Sequence, residues 1–311
     1  MHEEAEGPRQ QRQRRLVRRD YFNDAECSEE QFLLKFRFRR QSVLALVEEL
    51  YPDQQQEQGR RGDALSPLQR CLCGLRFLGR HCTEDDVADI MGISQPACHE
   101  AIQDFVGRVC GKKDVWARWP AGAELEAVKG VFRDRYGLPG VAGSLDCTHI
   151  LLSTPFEQQR DFRDRRGQLS LQVQAVASPS FRFYHLNVEW PGSVHDARVL
   201  QESDLETPFL DGTLDFLLLG DSGYGNGRSW LLTPFRDPIT PAQRRFNRAL
   251  RRGRAQTLAS FLLHNRALDF GDPLPPDAEP LDAEPLGRGR RLRGRGDGRA
   301  RRDLYVQQYF A

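Results

Sequence analysis

The chain has 311 residues, enough for one large domain or two modest ones, and carries a net charge of only +1. No run approaches the roughly 18 apolar residues of a membrane span, and the polar, Arg-rich start has no apolar stretch of a secretory signal. The sequence therefore predicts a soluble protein with no membrane partner. Seven cysteines (Cys27, Cys71, Cys73, Cys82, Cys98, Cys110 and Cys147), an odd number with no Cys-x-x-Cys pair, suit a reducing compartment, cytosol or nucleus.

The near-zero net charge conceals a strong pattern. Basic residues dominate positions 1–20, 244–254 and 288–302, with acids gathered between them. Local basic arms on a near-neutral chain fit a phosphate-bearing partner, and they fit solvated chain ends equally well.

Taken in chain order, residues 1–20 are poor in apolar side chains and predict a disordered basic arm. Residues 21–120 predict a helical region. Phe32, Phe36, Val43, Leu46 and Leu50 recur at roughly helical spacing, and Ser66-Pro67 opens a helix carrying Leu68, Leu72, Leu75 and Leu78. Thr83-Glu84-Asp85-Asp86 predicts a capping box leading into Val87, Ala88, Ile90 and Met91. After the tight turn Gly92-Ile93-Ser94, a second helix runs to about Val109. Helix, Gly-bearing turn and helix is the helix-turn-helix arrangement, whose second helix can enter a major groove. Here only Gln95 and His99 are plausible base readers, and Glu100 and Asp104 oppose phosphate contact, so a plain helical hairpin fits as well.

From Val141 the period changes to that of strands. Residues 141–152, 169–177 and 181–188 predict an antiparallel meander, joined in its second connection by Ser178-Pro179-Ser180. A helix starts at Asp196, and residues 216–219 form the short apolar run of a buried central strand. Three strands, a helix and a further strand is the order in which an RNase H-like α/β domain begins. Beyond residue 271 a duplicated Asp-Ala-Glu-Pro-Leu and Gly/Arg alternation predict a low-complexity tail, 271–311.

Three acids stand out by context. Asp146 interrupts a buried strand, Asp221 directly follows the apolar run 216–219, and Asp196 sits at a turn entering a helix. A lone carboxylate is costly to bury, and two or three converging on one site repel unless a cation neutralises them. Mg²⁺ or Mn²⁺, which take hard oxygen ligands, suit such a set, and metal-assisted phosphodiester hydrolysis is the chemistry they support. His149 and His195 adjoin these acids as candidate hydrogen-bond donors to them, or as ordinary structural histidines. Trp190 reads as a core anchor.

The motifs carrying these acids resemble those of Harbinger transposase-derived nucleases. Val141-Ala142-Gly143-Ser144-Leu145-Asp146-Cys147-Thr148-His149-Ile150 is similar to the family's first acidic motif. Trp190-Pro191-Gly192-Ser193-Val194-His195-Asp196 is similar to the second, and Leu218-Leu219-Gly220-Asp221-Ser222-Gly223-Tyr224 to the third. Trp230-Leu231-Leu232-Thr233-Pro234, Met91-Gly92-Ile93-Ser94-Gln95 and Arg118-Trp119-Pro120 extend the likeness, which runs from about Tyr21 to Phe270. It implies an α/β fold, an RNase H-like mixed sheet core at 141–270 preceded by the helix-turn-helix-like region. It further implies a divalent-metal DNA endonuclease with Asp146, Asp196 and Asp221 as catalytic metal ligands and Mg²⁺ or Mn²⁺ as cofactor. Partners implied are DNA and a separate Myb-like DNA-binding protein, in the nucleus and also the cytoplasm.

The sequence departs from this pattern at the last ligand, a helical Glu. Phe246-Asn247-Arg248-Ala249 resembles the start of the segment that bears it, but no acid follows, and Leu258 falls where the Glu belongs. The stretch 257–265 resembles a later helix arriving too soon, as though the Glu-bearing helix were missing. Glu189 and Glu202 are the possible substitutes. The alternative function is thus a catalytically impaired, DNA-associated or scaffold protein that keeps the nuclease fold.

Overall fold

The structure, a computed structural model, describes residues 18–24, 27–54, 64–80, 82–152, 161–180, 182–254 and 297–310. The chain divides into two compact units, residues 1–112 and 113–311. The boundary at 112/113 shortens the helical region expected over 21–120. The reason is that α6 (Lys113–Trp116) and α7 (Gly122–Tyr136) belong with the second unit, and Phe132 and Tyr136 of α7 pack under its sheet.

The first unit is helical: α1 (Glu29–Phe36), α2 (Arg40–Leu50), α3 (Pro67–Arg80), α4 (Glu84–Met91) and α5 (Gln95–Cys110). Local chemistry sets the helix starts. Ser28 and Gln31 form a capping box on α1, and Thr83 and Asp86 form the one expected on α4. The helix α4 stops at Gly92, whose left-handed backbone (φ 66°) needs no Cβ, and α5 follows at once. Gly74 on α3 leaves room for Phe105 of α5, since a Cβ there would lie 2.0 Å from Phe105 Cδ1.

The helix-turn-helix expected here exists as α4 and α5, but its candidate base readers are committed within the unit. Gln95 Nε2 donates to Glu84 Oε2 at 3.2 Å, and His99 Nδ1 lies 3.0 Å from both Glu84 oxygens. Asp104 is held by Arg70 and Arg108.

The second unit is a five-stranded mixed sheet in the order β3-β2-β1-β4-β5. Its strands are β1 (Val141–Leu151), β2 (Ser170–Ala177), β3 (Phe183–Pro191), β4 (Leu217–Leu219) and β5 (Leu231–Leu232). The first three form the expected antiparallel meander, while β4 pairs parallel to β1 and β5 parallel to β4. Helices α8 (Asp196–Glu202) and α9 (Thr207–Leu210) connect β3 to β4. Helix α10 (Pro241–Arg254) follows β5.

Both sheet faces are covered, as the RNase H-like expectation requires. Leu145, Val176, Leu218, Leu200 and Trp230 form one core. Val141, Leu219, Phe132, Phe246 and Leu250 form the other, under α7 and α10. Burial on both faces also explains why β2 hides Gln172 and Gln174 along with its apolar residues.

The low-complexity tail expected over 271–311 is corrected at its end. Residues Asp297–Phe310 form a helix, α11, whose Tyr305 and Val306 are buried against Phe246 and Leu250. The Arg-rich composition concealed this because few positions of α11 carry the packing. One of them, Arg302, lies over the Phe235 ring, 3.9 Å from its centroid. Residues 255–296, which include Leu258 and the rest of the expected tail, lie outside the described residues, as does most of the 1–20 arm. Among the described residues no helix is long and apolar enough to cross a membrane.

Candidate active site

The sheet register brings Asp146 and Asp221 together. Ser144 of β1 pairs in parallel with Leu219 of β4; Asp146 lies two residues further along β1, and Asp221 two residues past Leu219, beyond the end of β4. A bulge sets the face that Asp146 takes. Val141 pairs with Leu217 and Gly143 with Leu218, so β1 spends an extra residue there. Gly143 tolerates the crowding, since a Cβ would sit 3.1 Å from both Leu218 and Val176. Beyond the bulge, Ser144 turns toward α10 and hydrogen-bonds the Gly253 carbonyl at 3.4 Å, and Asp146 follows it.

The third acid arrives from the opposite direction. Asp196 is the first residue of α8, where the helix dipole favours a carboxylate. It accepts a hydrogen bond from the side-chain amide of Gln172, a fully buried residue of β2. Asp221 caps its own turn: Oδ1 accepts from the backbone N–H of Gly223 at 2.8 Å and of Tyr224 at 3.3 Å.

The charges of the acids reach one another across the sheet. Burial pushes Asp146 above the usual carboxylate range, with the charge of Asp221 adding to the rise and Arg254 opposing it. Burial also raises Asp196, followed by the charges of Asp221 and then Asp146. The Cys147 thiol is pushed up by burial and by Asp196, and the Tyr224 hydroxyl donates to its Sγ at 3.1 Å.

Arg254, a residue that sequence reasoning did not single out, completes the site. Its Nη2 donates to Asp146 Oδ2 at 2.7 Å. Asp146 Oδ1 meanwhile accepts from the Cys147 backbone at 2.9 Å, so both oxygens are engaged. Carboxylates are the donors a hard divalent cation takes, and burial together with the charge of Asp221 destabilises both Asp146 and Asp196. The present arrangement has an arginine against Asp146 instead. Among the described residues no group of three or more His, Cys, Asp or Glu is set out to hold a metal ion.

Beside Asp196 opens a cavity of about 450 Å³, lined by Cys147, His149, Arg165, Arg166 and Gln168 among others. His149 turns from the carboxylates to Ser170, with Nδ1 3.0 Å from its Oγ. Arg165 Nη2 lies 2.9 Å from His195 Nδ1 and donates to it. Glu189 and Glu202, the possible substitutes for the absent Glu, are both exposed and lack the buried setting of the three aspartates. Trp190 is half-buried. The one legible signal for the supporting residues was Gln172, a polar side chain inside an apolar strand.

A mixed α/β sheet with one carboxylate inside β1 and another just past the end of its parallel neighbour β4 matches an RNase H-like DDE core. Residues 145–259 match the model of the DDE superfamily endonucleases, a span containing all three aspartates. The chain is 32% identical to HARBI1 of Homo sapiens, whose name describes a nuclease, over 232 residues, 74% of this chain and 66% of that protein. It is 31% identical to its counterpart in Rattus norvegicus over the same shares. It is 28% identical to Protein ALP1-like of Arabidopsis thaliana, over 60% of this chain and 50% of that one. No solved structure matches. The chain belongs to the Harbinger-derived nucleases of the DDE superfamily, and it spans just under two thirds of the length of the HARBI1 relatives it matches.

Proposed function

We propose that the protein is a metal-dependent DNA endonuclease in which Asp146, Asp196 and Asp221 hold Mg²⁺ or Mn²⁺ and the reaction hydrolyses a phosphodiester bond. The observation that carries this is that carboxylates from β1, the start of α8 and the turn after β4 act on one another, Asp221 raising both Asp146 and Asp196. A divalent cation there would stabilise charge on the phosphodiester and activate water. The chain's own residues do the positioning. Gln172 fixes the orientation of Asp196, and the Gly223 and Tyr224 amides hold Oδ1 of Asp221, leaving its Oδ2 as the available oxygen.

Substrate attraction is supported by α10. Its Phe246, Ala249, Leu250 and Gly253 are buried, and Arg244, Arg245, Arg248, Arg251 and Arg252 are exposed on the other side. Such a basic helix face suits a phosphate backbone. The same reading has the protein working in the nucleus, with the cytoplasm as a second compartment, beside a Myb-like DNA-binding partner.

A second reading, a DNA-associated protein with impaired catalysis, is favoured by two observations. The helix that should lead to the last acid has none over Pro241–Arg254, and Arg254 is bonded to Asp146. Removing one member of a catalytic set that works as a unit commonly costs orders of magnitude in rate. Incubating a labelled DNA duplex with and without Mn²⁺ and resolving the products separates the two, since both readings bind the duplex and only the first requires cleaved product to form.

A further inference from the structure

The pairing of Arg254 with Asp146 depends on a specific piece of packing. A Cβ at Gly253 would lie 2.8 Å from Leu219 Cδ1 and 3.2 Å from Leu138 Cδ1, so the glycine lets α10 sit against β4 without displacing these side chains. That approach sets the next residue, Arg254, directly over Asp146, with side chains only 17% and 15% exposed. The helix itself is anchored by Phe246 and Leu250, both essentially fully buried.

The pair is held less firmly than an arginine–carboxylate pair can be. Only Nη2 reaches the carboxylate, and the buried Nε of Arg254 has no hydrogen-bond partner. A fork that used Nε and Nη2 together would be bidentate and stronger. One charge of +1, through one hydrogen bond, therefore faces Asp146, whose carboxyl also feels the charge of Asp221.

We propose that Arg254 is a tethered counter-cation that occupies the cation position at Asp146, so that a divalent metal binds the carboxylate centre only when Arg254 is displaced. The inference rests on the carboxylate-centre reading above, but its test involves no DNA. Arg254 thus protects the folded apo protein from its own buried charge and weakens its affinity for metal.

The experiment is titration of Mn²⁺ into the full-length protein, followed by the electron paramagnetic resonance signal of free Mn²⁺. The proteins are wild type, Arg254→Ala, Arg254→Gln and the double variant Arg254→Ala/Asp146→Asn. Arg254→Gln keeps length and a hydrogen-bond donor while removing the charge, and serves if the alanine protein fails to fold. Removing the charge is expected to tighten Mn²⁺ binding roughly 10- to 100-fold, the range a charge-assisted hydrogen bond is worth. The double variant should lose that gain. Mn²⁺ affinity in both single variants no tighter than in wild type would overturn the proposal, as would a gain that survives Asp146→Asn. Tighter binding by these variants in a protein that never cleaves DNA would leave this inference standing and remove the nuclease reading. Cleavage with unchanged binding would do the reverse.

Discussion

Replacing Tyr305 by alanine tests whether α11 is part of the core that supports the site. Tyr305 is 6% exposed, stacks edge-on to Phe246 and donates its hydroxyl to the Pro139 carbonyl at 2.8 Å. Deleting a buried aromatic side chain costs about 3–5 kcal/mol, and the hydrogen bond alone about 0.5–1.5 kcal/mol. Tyr305→Ala should therefore destabilise the second unit by about 4 kcal/mol, on the order of 10 °C in Tm, and Tyr305→Phe by about 1 kcal/mol. Urea unfolding followed by tryptophan fluorescence reads this cleanly. All four tryptophans (Trp116, Trp119, Trp190 and Trp230) lie in the second unit, so the first unit does not contribute to the signal. A Tyr305→Ala protein within about 1 kcal/mol of wild type would mean that α11 is not docked as described.

Further outcomes follow from the same geometry. Asp196→Asn, measured in EDTA, should raise stability at neutral pH by about 1 kcal/mol, the usual mark of a functional carboxylate held against its own stability. Because the folded Asp196 titrates above 3.8, its protonated form is the favoured one and stability is lost as pH rises through the folded value. The gain from Asn should accordingly vanish as pH falls toward 3.8, and thermal melts across that range check it. Gly253→Ala should cost about 1–3 kcal/mol by forcing α10 away from Leu219, read by the same urea titration. Neutralising Arg248, Arg251 and Arg252 should flatten the salt dependence of DNA binding by about 0.9 in slope for each phosphate left without its arginine. As a control, Gln95→Ala/His99→Ala, which removes side chains already engaged by Glu84, should leave that affinity within about twofold.

The parts of the molecule legible in the sequence were those fixed by local pattern. The alternation in β2, the capping box at Thr83 and the apolar run of β4 each announce their element within a few residues. The three aspartates were legible because a carboxylate inside or at the end of an apolar strand is costly unless it has a task. What escaped was set by tertiary structure. The residue that meets Asp146 comes from position 254, 108 residues away, and nothing near Arg254 distinguishes it from Arg251 or Arg252. The bulge at 141–143 that turns Asp146 toward α10 depends on pairing with β4, not on local sequence. Helix α11 was hidden by composition, since Arg299, Arg301 and Arg302 resemble the Gly/Arg run before them, and its burial rests on Tyr305 and Val306.

The most direct test of the central claim is nicking of supercoiled plasmid by the full-length protein with Mn²⁺ or Mg²⁺, beside Asp146→Asn, Asp196→Asn and Asp221→Asn. The account expects slow nicking that requires the metal and that each of the three substitutions abolishes. Nicking that survives all three would locate the chemistry elsewhere. Its absence from a folded wild-type protein would contradict the endonuclease assignment and leave the DNA-associated scaffold.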